Sequence, residues 1–202
     1  MIIEDSRLSA DRRPRWLRHG WALTVGATVA LAGIGAIAQP LPVVSGLDLD
    51  RYSGTWHEIA RYPNWFERNC ERDVSAVYAR NADGSIAVVN QCRTGDGAMQ
   101  RAEGLARVVA PAKLEVRFAP AWLSFLPFVW GDYWVIDLAP DYSYSVVGDP
   151  ARRYLWILAR APEMDEATYR RITGRLPALG YDPKQLIRNP PSGESAAAPA
   201  RN

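Results

Sequence analysis

This chain of 202 residues has few cysteines and histidines, and it shows no motif that pairs a nucleophile with a base. It has two cysteines and two histidines, which is too few for a zinc site built from Cys and His at the usual spacing. His57 stands alone on a predicted strand, and no serine lies in a Gly-x-Ser-x-Gly motif. We therefore predict a protein that is not an enzyme and that carries no metal or other cofactor.

Glu58 is the carboxylate with the most unusual predicted position. It lies on the same face of a strand as Trp56 and Ala60, because side chains two residues apart share a face. If that face is buried, the carboxylate needs a partner. The partner is either another group of the protein, in an internal hydrogen bond or ion pair, or the polar head group of a ligand.

Cys70 and Cys92 are separated by a predicted hairpin. Asp83-Gly84 is typical of a two-residue turn, which would place Cys92 opposite Ser75 and leave Cys70 in the preceding loop. A bridge then requires this loop to fold back on the hairpin; otherwise the cysteines are two buried thiols. We predict a disulfide, because the N-terminal segment indicates export to an oxidising compartment.

The first 38 residues predict export. Arginines precede an uncharged apolar stretch at residues 21–38, which ends in Ala36-Ile37-Ala38; this order is typical of a secretory signal peptide. The stretch is also close to the about 20 residues that span a bilayer, so it is either cleaved after Ala38 or retained as an anchor. No cysteine near the cleavage point could carry a lipid. We expect a location in the periplasm or cell envelope, with outer-membrane association compatible with the sequence.

The charge balance argues against one class of partner. Residues 1–38 hold five arginines and three acidic residues, so 19 of the 24 basic and 19 of the 22 acidic side chains lie after them. This remaining chain is neutral, and we expect no binding of nucleic acid. At the other end, residues 190–202 are mostly Pro, Ser, Ala and Gly, which predicts a disordered tail.

Residues 45–189 predict a single, mainly β domain. Eight short apolar runs are separated by turn residues, and the simplest closed arrangement is an eight-stranded up-and-down antiparallel barrel without a free edge. The period then becomes helical over residues 165–176, before Pro177, and we expect one α-helix packed outside the barrel. The predicted strands are residues 54–61, 74–80, 85–92, 104–109, 113–118, 133–138, 144–148 and 154–160.

Several segments resemble the lipocalin family. Gly54-Thr55-Trp56 begins the first strand, and the longer stretch GTWHEIARYPNWFER at residues 54–68 is similar to the bacterial lipocalin group, which is related to apolipoprotein D and the plant temperature-induced lipocalins. Three later segments agree with the family in their order: DGSIAVVN at 83–90, GDYWVI at 131–136 and YLWILAR at 154–160.

The resemblance implies an eight-stranded calyx that is closed at one end and holds an apolar or amphiphilic ligand. In this family the Trp of the Gly-x-Trp motif closes the barrel floor, and an Arg after the last strand stacks on it from outside. Here these residues are Gly54, Trp56 and Arg160. A guanidinium over an indole contributes about 1–2 kcal/mol where it is partly desolvated, so these residues are expected to be structural.

Alternation along the strands predicts the lining of the barrel. These side chains either fill a dry core or surround a cavity, and the resemblance favours a cavity for a small lipid such as a fatty acid or lysophospholipid. A lipid-modifying enzyme and a structural envelope protein with a filled barrel are the alternatives. The residues expected to face the ligand are Glu58, Tyr78, Val88, Asn90, Phe118, Tyr133, Val135, Tyr144 and Trp156, with Leu114 and Val116 beside them.

Residues 119–130, with the sequence APAWLSFLPFVW, form an uncharged connection between two predicted strands. Pro120 and Pro127 prevent a regular strand, and connections of this kind usually run over the surface. The segment either folds down as a lid or against a neighbouring loop, or it exposes its aromatic side chains at the barrel mouth. Our hypothesis is the second arrangement, with the segment contacting a membrane surface.

Overall fold

The computed structural model describes residues 39–190, and eight consecutive strands in it form a closed antiparallel barrel. Each strand pairs with the next one in the chain, and the first strand pairs with both the eighth and the second. The predicted eight-stranded barrel is therefore confirmed. The strands are β1 Gly54–Arg61, β2 Arg72–Arg80, β3 Ile86–Arg93, β4 Met99–Ala110, β5 Lys113–Arg117, β6 Gly131–Leu138, β7 Tyr144–Gly148 and β8 Leu155–Ala159.

Within residues 39–190, two α-helices, a ninth strand and four short 3-10 helices accompany the barrel. The α-helices are α1 Leu49–Tyr52 and α2 Glu166–Arg175, and the ninth strand is β9 Ile187–Arg188. The predicted signal segment, residues 1–38, and the predicted tail beyond Pro190 lie outside the described residues. Among residues 39–190, no helix has the length and apolar character needed to cross a membrane.

The order of the strands defines two ends of the barrel. Because neighbouring strands run in opposite directions, the connections at residues 62–71, 94–98, 118–130 and 149–154 lie together at the end where β1 finishes. The tight turns and α1 lie at the opposite end, where β1 begins. We call the first the open end and the second the closed end.

Helix α2 begins and ends where the sequence predicts. Asp165 caps it, since its carboxylate accepts a hydrogen bond of 2.9 Å from the backbone N–H of Thr168, and a 3-10 turn containing Pro177 follows it. Its buried Ile172 packs with Leu155 and Val146 on the outer surface of the barrel. We call this the outer cluster.

The outer cluster explains one wrong prediction. Tyr144 was expected to point into the barrel, but it belongs to the outer cluster, and Ser145 is the inward-facing neighbour. All five residues of β7 are buried, because α2 covers the outside of this strand while the barrel interior covers the inside. When both faces of a strand are buried, apolar character no longer distinguishes them.

The hairpin between β2 and β3 also differs from the prediction by one residue. Arg80 pairs with Ile86, and the loop closes through a 2.8 Å bond from the N–H of Asn81 to the carbonyl of Ser85. This leaves three loop residues instead of two, with Gly84 at φ +84°. A three-residue loop with glycine in the left-handed region is a common alternative hairpin. Ser75 consequently pairs with Gln91, and not with Cys92.

Candidate ligand-binding site

The closed end of the barrel is built around Trp56. This side chain is fully buried, and its indole N–H donates a 2.8 Å hydrogen bond to the carbonyl of Tyr52 in α1. The guanidinium carbon of Arg160 lies 3.9 Å from the centre of the indole ring. Arg160 also donates to the carbonyls of Thr55 and Arg51, at 2.9 and 2.6 Å. The indole thus has a covering cation that the backbone holds in place.

Most of the predicted lining residues face the interior of the barrel. Tyr78, Val88 and Val135 are buried there, and Tyr133 and Trp156 are partly buried against them. The register adds Asn90, which lies between inward-facing Ala76 and Ala102 on the adjoining strands. Tyr144, in the outer cluster, does not join this set.

The interior changes character towards the open end. Ala102 faces inward but is exposed, and Gly104 is only partly buried. Phe118 lies just beyond β5 and is 42% exposed, with its ring against Gly104, where an added Cβ would lie 2.7 Å from the ring. The carbonyl oxygen of the Asn90 side chain is buried without a hydrogen-bond partner among the described residues. Solvent therefore reaches the inner wall at Ala102 and Gly104 on β4, but it does not reach the Asn90 oxygen.

A bulge in β1 brings an arginine into the interior. The pairing with β8 slips between Glu58 and Ala60, so that Ile59 and Ala60 both lie in the outer cluster. Arg61 then points inward beside Glu58, where simple alternation would place Ala60. The prediction that Ala60 shares a face with Trp56 and Glu58 is wrong for this reason.

Arg61 is shared by two carboxylates. One of its terminal nitrogens lies 2.9 Å from Oε1 of Glu58, and its Nε lies 3.1 Å from Oε2 of Glu67. The two partners in the Glu58 pair have side chains only 8% and 4% exposed. Asn189, just after β9, donates to the Oε1 and the carbonyl of Glu58 and accepts from Arg61. We call these four residues the polar cluster.

The polar cluster has two carboxyl groups for one guanidinium, and this balance affects the pKa of Glu58. Burial, and then the negative charge of Glu67, raise the pKa of Glu58 to about 8, although Arg61 and Asn189 act in the opposite direction. One guanidinium cannot fully compensate two carboxylates in a desolvated site. Glu58 therefore has its partners within the protein, in an internal hydrogen-bonded cluster with Arg61 and Asn189.

Aromatic side chains adjoin the polar cluster at the open end. The indole N–H of Trp156 points at the carboxylate of Glu67, at 3.3 Å. Phe66 stacks near Trp156 and Tyr154, with ring centres 6.2 and 5.7 Å away, and Trp65, next to it, is 71% exposed. The loop that carries Trp65 and Phe66 is thus a second apolar element at this end.

A disulfide fastens that loop to the barrel. Cys70, in the connection after β1, is bonded to Cys92 on β3, with Cα atoms 5.5 Å apart. The predicted bridge is confirmed. The loop does fold back on the hairpin, and the N–H of Glu71 bonds the carbonyl of Arg93 at 2.9 Å.

Residues 119–130 expose most of their aromatic side chains. Trp122, Phe125 and Phe128 are 73, 75 and 79% exposed. Trp122 and Phe128 lie on two short 3-10 helices, Ala121–Leu123 and Pro127–Val129, and Phe125 lies between these helices. Trp130 is different: its indole N–H donates a 2.8 Å hydrogen bond to the carbonyl of Ser124, and the guanidinium carbon of Arg107 lies 4.1 Å from its ring centre. Trp130 therefore anchors the segment while the other three aromatics face solvent.

Two members of the polar cluster, Arg61 and Asn189, have no signal in the sequence. Alternation places Arg61 on the outside, and Asn189 is 128 residues away from Arg61 in the chain. Glu67 and the neighbouring aromatics could have been identified, since Trp65 and Phe66 are apolar residues in a predicted connection. Ser145 was missed with the error over Tyr144.

Comparisons with known proteins agree with this architecture. A family model described as a lipocalin-like domain matches residues 47–191. The chain is 40% identical over 169 residues to temperature-induced lipocalin-1 of Arabidopsis thaliana, which covers 80% of this chain and 90% of that protein. It is 34% identical over 170 residues to outer membrane lipoprotein Blc of Escherichia coli K12, covering 81% and 93%.

The similarity extends to an animal protein and to a solved structure. Apolipoprotein D of Macaca fascicularis is 33% identical over 164 residues, covering 76% of this chain and 81% of that protein. Insecticyanin of Manduca sexta matches with a TM-score of 0.59 over 79% of this chain and 87% of that chain, at 20% identity, and so shares the fold. Since the family model spans the whole barrel and the relatives match over most of their length, this chain belongs to the lipocalin family.

Proposed function

We propose that this protein binds a small amphiphilic lipid, of the fatty acid or lysophospholipid type, and carries or stores it in the cell envelope. Membership of the lipocalin family supports binding of a small hydrophobic ligand. The observation that carries the proposal is the accessible inner wall near the open end, where Ala102 and Gly104 face inward without being buried. An apolar wall with a few polar groups is typical of a lipid site.

Two features favour binding over the alternatives. The Oε1 of Glu58 already accepts hydrogen bonds from Arg61 and Asn189, which favours an internal polar cluster over a catalytic carboxyl group that must reach a proton of the substrate. The solvent-accessible inner wall at Ala102 favours a ligand cup over a structural protein with a filled barrel. Asn90 supplies an unpaired acceptor oxygen on the same wall, which suits a hydrogen-bond donor of a ligand.

The test is native mass spectrometry of the protein purified from its own cells, followed by lipid extraction. We expect a co-purifying amphiphile. Ala102→Trp should remove it, because a large side chain would fill the cup. Ala79→Trp is the matched control, since Ala79 is exposed on the outside of β2, and it should leave the lipid in place. An unliganded wild-type barrel would contradict the proposal.

Export to the envelope is part of the same proposal. The E. coli relative is named an outer membrane lipoprotein, which supports an envelope location, while residues 1–38 here have the order of a signal peptide. We propose cleavage after Ala38. The mass of the protein in envelope fractions is the test, and a full-length, membrane-embedded product would show that residues 21–38 are an anchor.

We also propose that the open end contacts a membrane, so that lipid passes directly into the barrel. Trp122, Phe125 and Phe128 are largely exposed on one connection, and Trp65 is exposed on another connection at the same end. Exposed aromatics of this density are typical of interfacial contacts. Since the chain after residue 38 is neutral, the contact should depend on apolar burial and little on salt.

Vesicle co-sedimentation at low and high salt tests this contact. The double variant Trp122→Ser, Phe125→Ser should bind vesicles much more weakly than wild type at both salt concentrations. Val108→Ser, Val109→Ser is the matched control, because these half-exposed valines lie near the closed end, and it should bind as wild type does. Equal binding by wild type and the aromatic variant, or binding abolished by salt alone, would contradict the proposal.

A further inference from the structure

Four hydroxyl groups come together inside the barrel. Oη of Tyr52 lies 2.8 Å from Oη of Tyr133 and 2.9 Å from Oγ of Ser145. Tyr78 meets Tyr133 edge-on, with ring centres 5.9 Å apart. These residues belong to α1, β2, β6 and β7, so only the closed barrel assembles them.

The four hydroxyls have more donor hydrogens than there are hydrogen bonds between them. Each hydroxyl can donate one hydrogen bond. Burial raises the pKa of Tyr52 to about 12 and raises the pKa of Tyr78 and Tyr133 as well. All three phenols are therefore protonated at neutral pH. Even if Tyr78 and Tyr133 are counted as hydrogen-bonded, the four groups make three contacts. At least one hydrogen is therefore left without an acceptor among the described residues.

The tyrosines border a small internal cavity. Its volume is about 10 Å³, which is room for about one oxygen-sized group. Tyr52, Tyr78 and Tyr133 form one wall, and the opposite wall consists of apolar side chains such as Ile86, Ala106 and Leu114. When the bonds run from Ser145 through Tyr52 and Tyr133, the spare hydrogen is that of Tyr78, which lines this cavity. The other sides of the cavity are apolar apart from Ser53, whose hydroxyl donates to the carbonyl of Leu49.

We infer that the lipid bound by this barrel carries an oxygen function, a hydroxyl or a carbonyl, at the end that enters first, and that the hydroxyls of Tyr78 and Tyr133 bind that oxygen. The inference rests on the proposed lipid binding and narrows its ligand class to amphiphiles that are oxygenated at both ends. A ligand ending in a methyl group would leave the donor unpaired and would lose affinity. A ligand oxygen accepts the spare hydrogen instead.

Calorimetric titration with dodecanoic acid and 12-hydroxydodecanoic acid tests the inference. Wild type should bind the hydroxy acid at least as tightly as the plain acid. In the double variant Tyr78→Phe, Tyr133→Phe, the ratio of the two affinities should shift about tenfold towards dodecanoic acid, as expected for the loss of one hydrogen bond to the hydroxy acid. An affinity ratio that is the same in both proteins would overturn the inference.

Tyr62→Phe is the matched control. It removes a tyrosine hydroxyl from the outer cluster, where that group donates 2.9 Å to the carbonyl of Asp182, and it should leave the affinity ratio unchanged. A ratio altered equally by Tyr62→Phe would show a general effect on the fold and would also overturn the inference.

A second measurement separates this inference from the proposed function. The lipid extracted from the natively purified protein is analysed for its terminal group by fragmentation mass spectrometry. An oxygenated chain end supports the inference, and a plain methyl end overturns it while leaving lipid binding intact. The absence of any lipid, with no binding of either acid, overturns the proposed function itself.

Discussion

The two ends of this barrel differ in how closely their side chains pack and in how their charges are paired. At the closed end, Trp56 is fully buried beneath Arg160 and its indole N–H is satisfied by Tyr52. At the open end, Ala102 faces inward but is exposed, and Arg61 is shared between two carboxylates. The groups around Trp56 at the closed end are buried and paired, whereas the open end keeps accessible space and an uneven charge balance.

The difference indicates which substitutions should change stability and which should change binding. Close packing makes the cost of a truncation large, so residues near Trp56 should mainly affect the free energy of unfolding. Exposed or incompletely paired groups contribute less to folding and remain available to a ligand or a membrane. Functional sites commonly show such departures from ideal packing.

The largest expected effect is at the closed end. Trp56→Ala should lower the free energy of unfolding by about 3–5 kcal/mol, because it leaves a cavity at a fully buried aromatic site. Urea denaturation measures the loss, with Trp122→Ala, an exposed tryptophan of the open end, as the control that should change stability by less than about 0.5 kcal/mol. Equal stability of the Trp56→Ala protein and wild type would remove the basis of the comparison.

The next largest effect concerns the rim of the open end. Cys70→Ser, Cys92→Ser should lower the free energy of unfolding by about 3 kcal/mol, since the bridge closes a loop with a sequence separation of 22 residues. Denaturation with and without reductant measures this, and reductant should not affect the double variant. Thiol titration of unfolded, unreduced wild type should find no free thiol; two per chain would contradict the bridge.

A smaller, pH-dependent effect should distinguish the polar cluster. The pKa of Glu58 is raised to about 8 in the folded protein and is close to 4.3 in an unfolded chain. The folded state therefore binds this proton more tightly, and the resulting stability, fully present below about pH 4, is lost as the pH rises through 8. We expect a loss of about 1–3 kcal/mol between pH 5 and 9.

Glu58→Gln should abolish most of this slope, because an amide does not titrate. Denaturation at a series of pH values measures the slope for both proteins. Glu115→Gln is the control: Glu115 also pairs with an arginine, Arg107 at 2.7 Å, but on the outer surface, and its removal should leave the slope in place. A wild-type stability that rises between pH 5 and 9 would show that the carboxylate is ionised throughout.

The smallest expected loss of stability concerns Arg160, which covers the ring of Trp56 at the closed end. Arg160→Ala should cost about 1–2 kcal/mol, the contribution of a partly desolvated cation on an indole. Arg188→Ala is the comparison, because that guanidinium also lies 4.3 Å from a ring centre, that of Tyr169, in a more exposed place; its cost should be lower. Denaturation of both variants decides the order, and a reversed order would mean that Arg160 does not close the barrel.

Sequence reasoning was most successful where the signal is local. The alternation from Gly54 to Arg61 defines β1 with its observed ends, and the change of period with Asp165 as cap predicts α2. It failed where the inward or outward direction of a side chain had to be predicted. The bulge in β1 turns Arg61 inward in place of Ala60, and burial on both faces of β7 leaves no pattern that shows the direction of Tyr144. These errors move residues between the inside and outside of the barrel, and so they affect the site more than the fold.

The sequence by itself determined the eight strands of the barrel, the helix α2, the position of Trp56 and the family, because period, turn residues and short motifs are properties of neighbouring residues. Only the tertiary structure decided the polar cluster and the four hydroxyls. Arg61 and Asn189 are 128 residues apart, and Tyr52 reaches Ser145 across 93 residues. Such contacts depend on bulges, strand register and the closure of the barrel, where a shift of one residue turns each side chain to the opposite face.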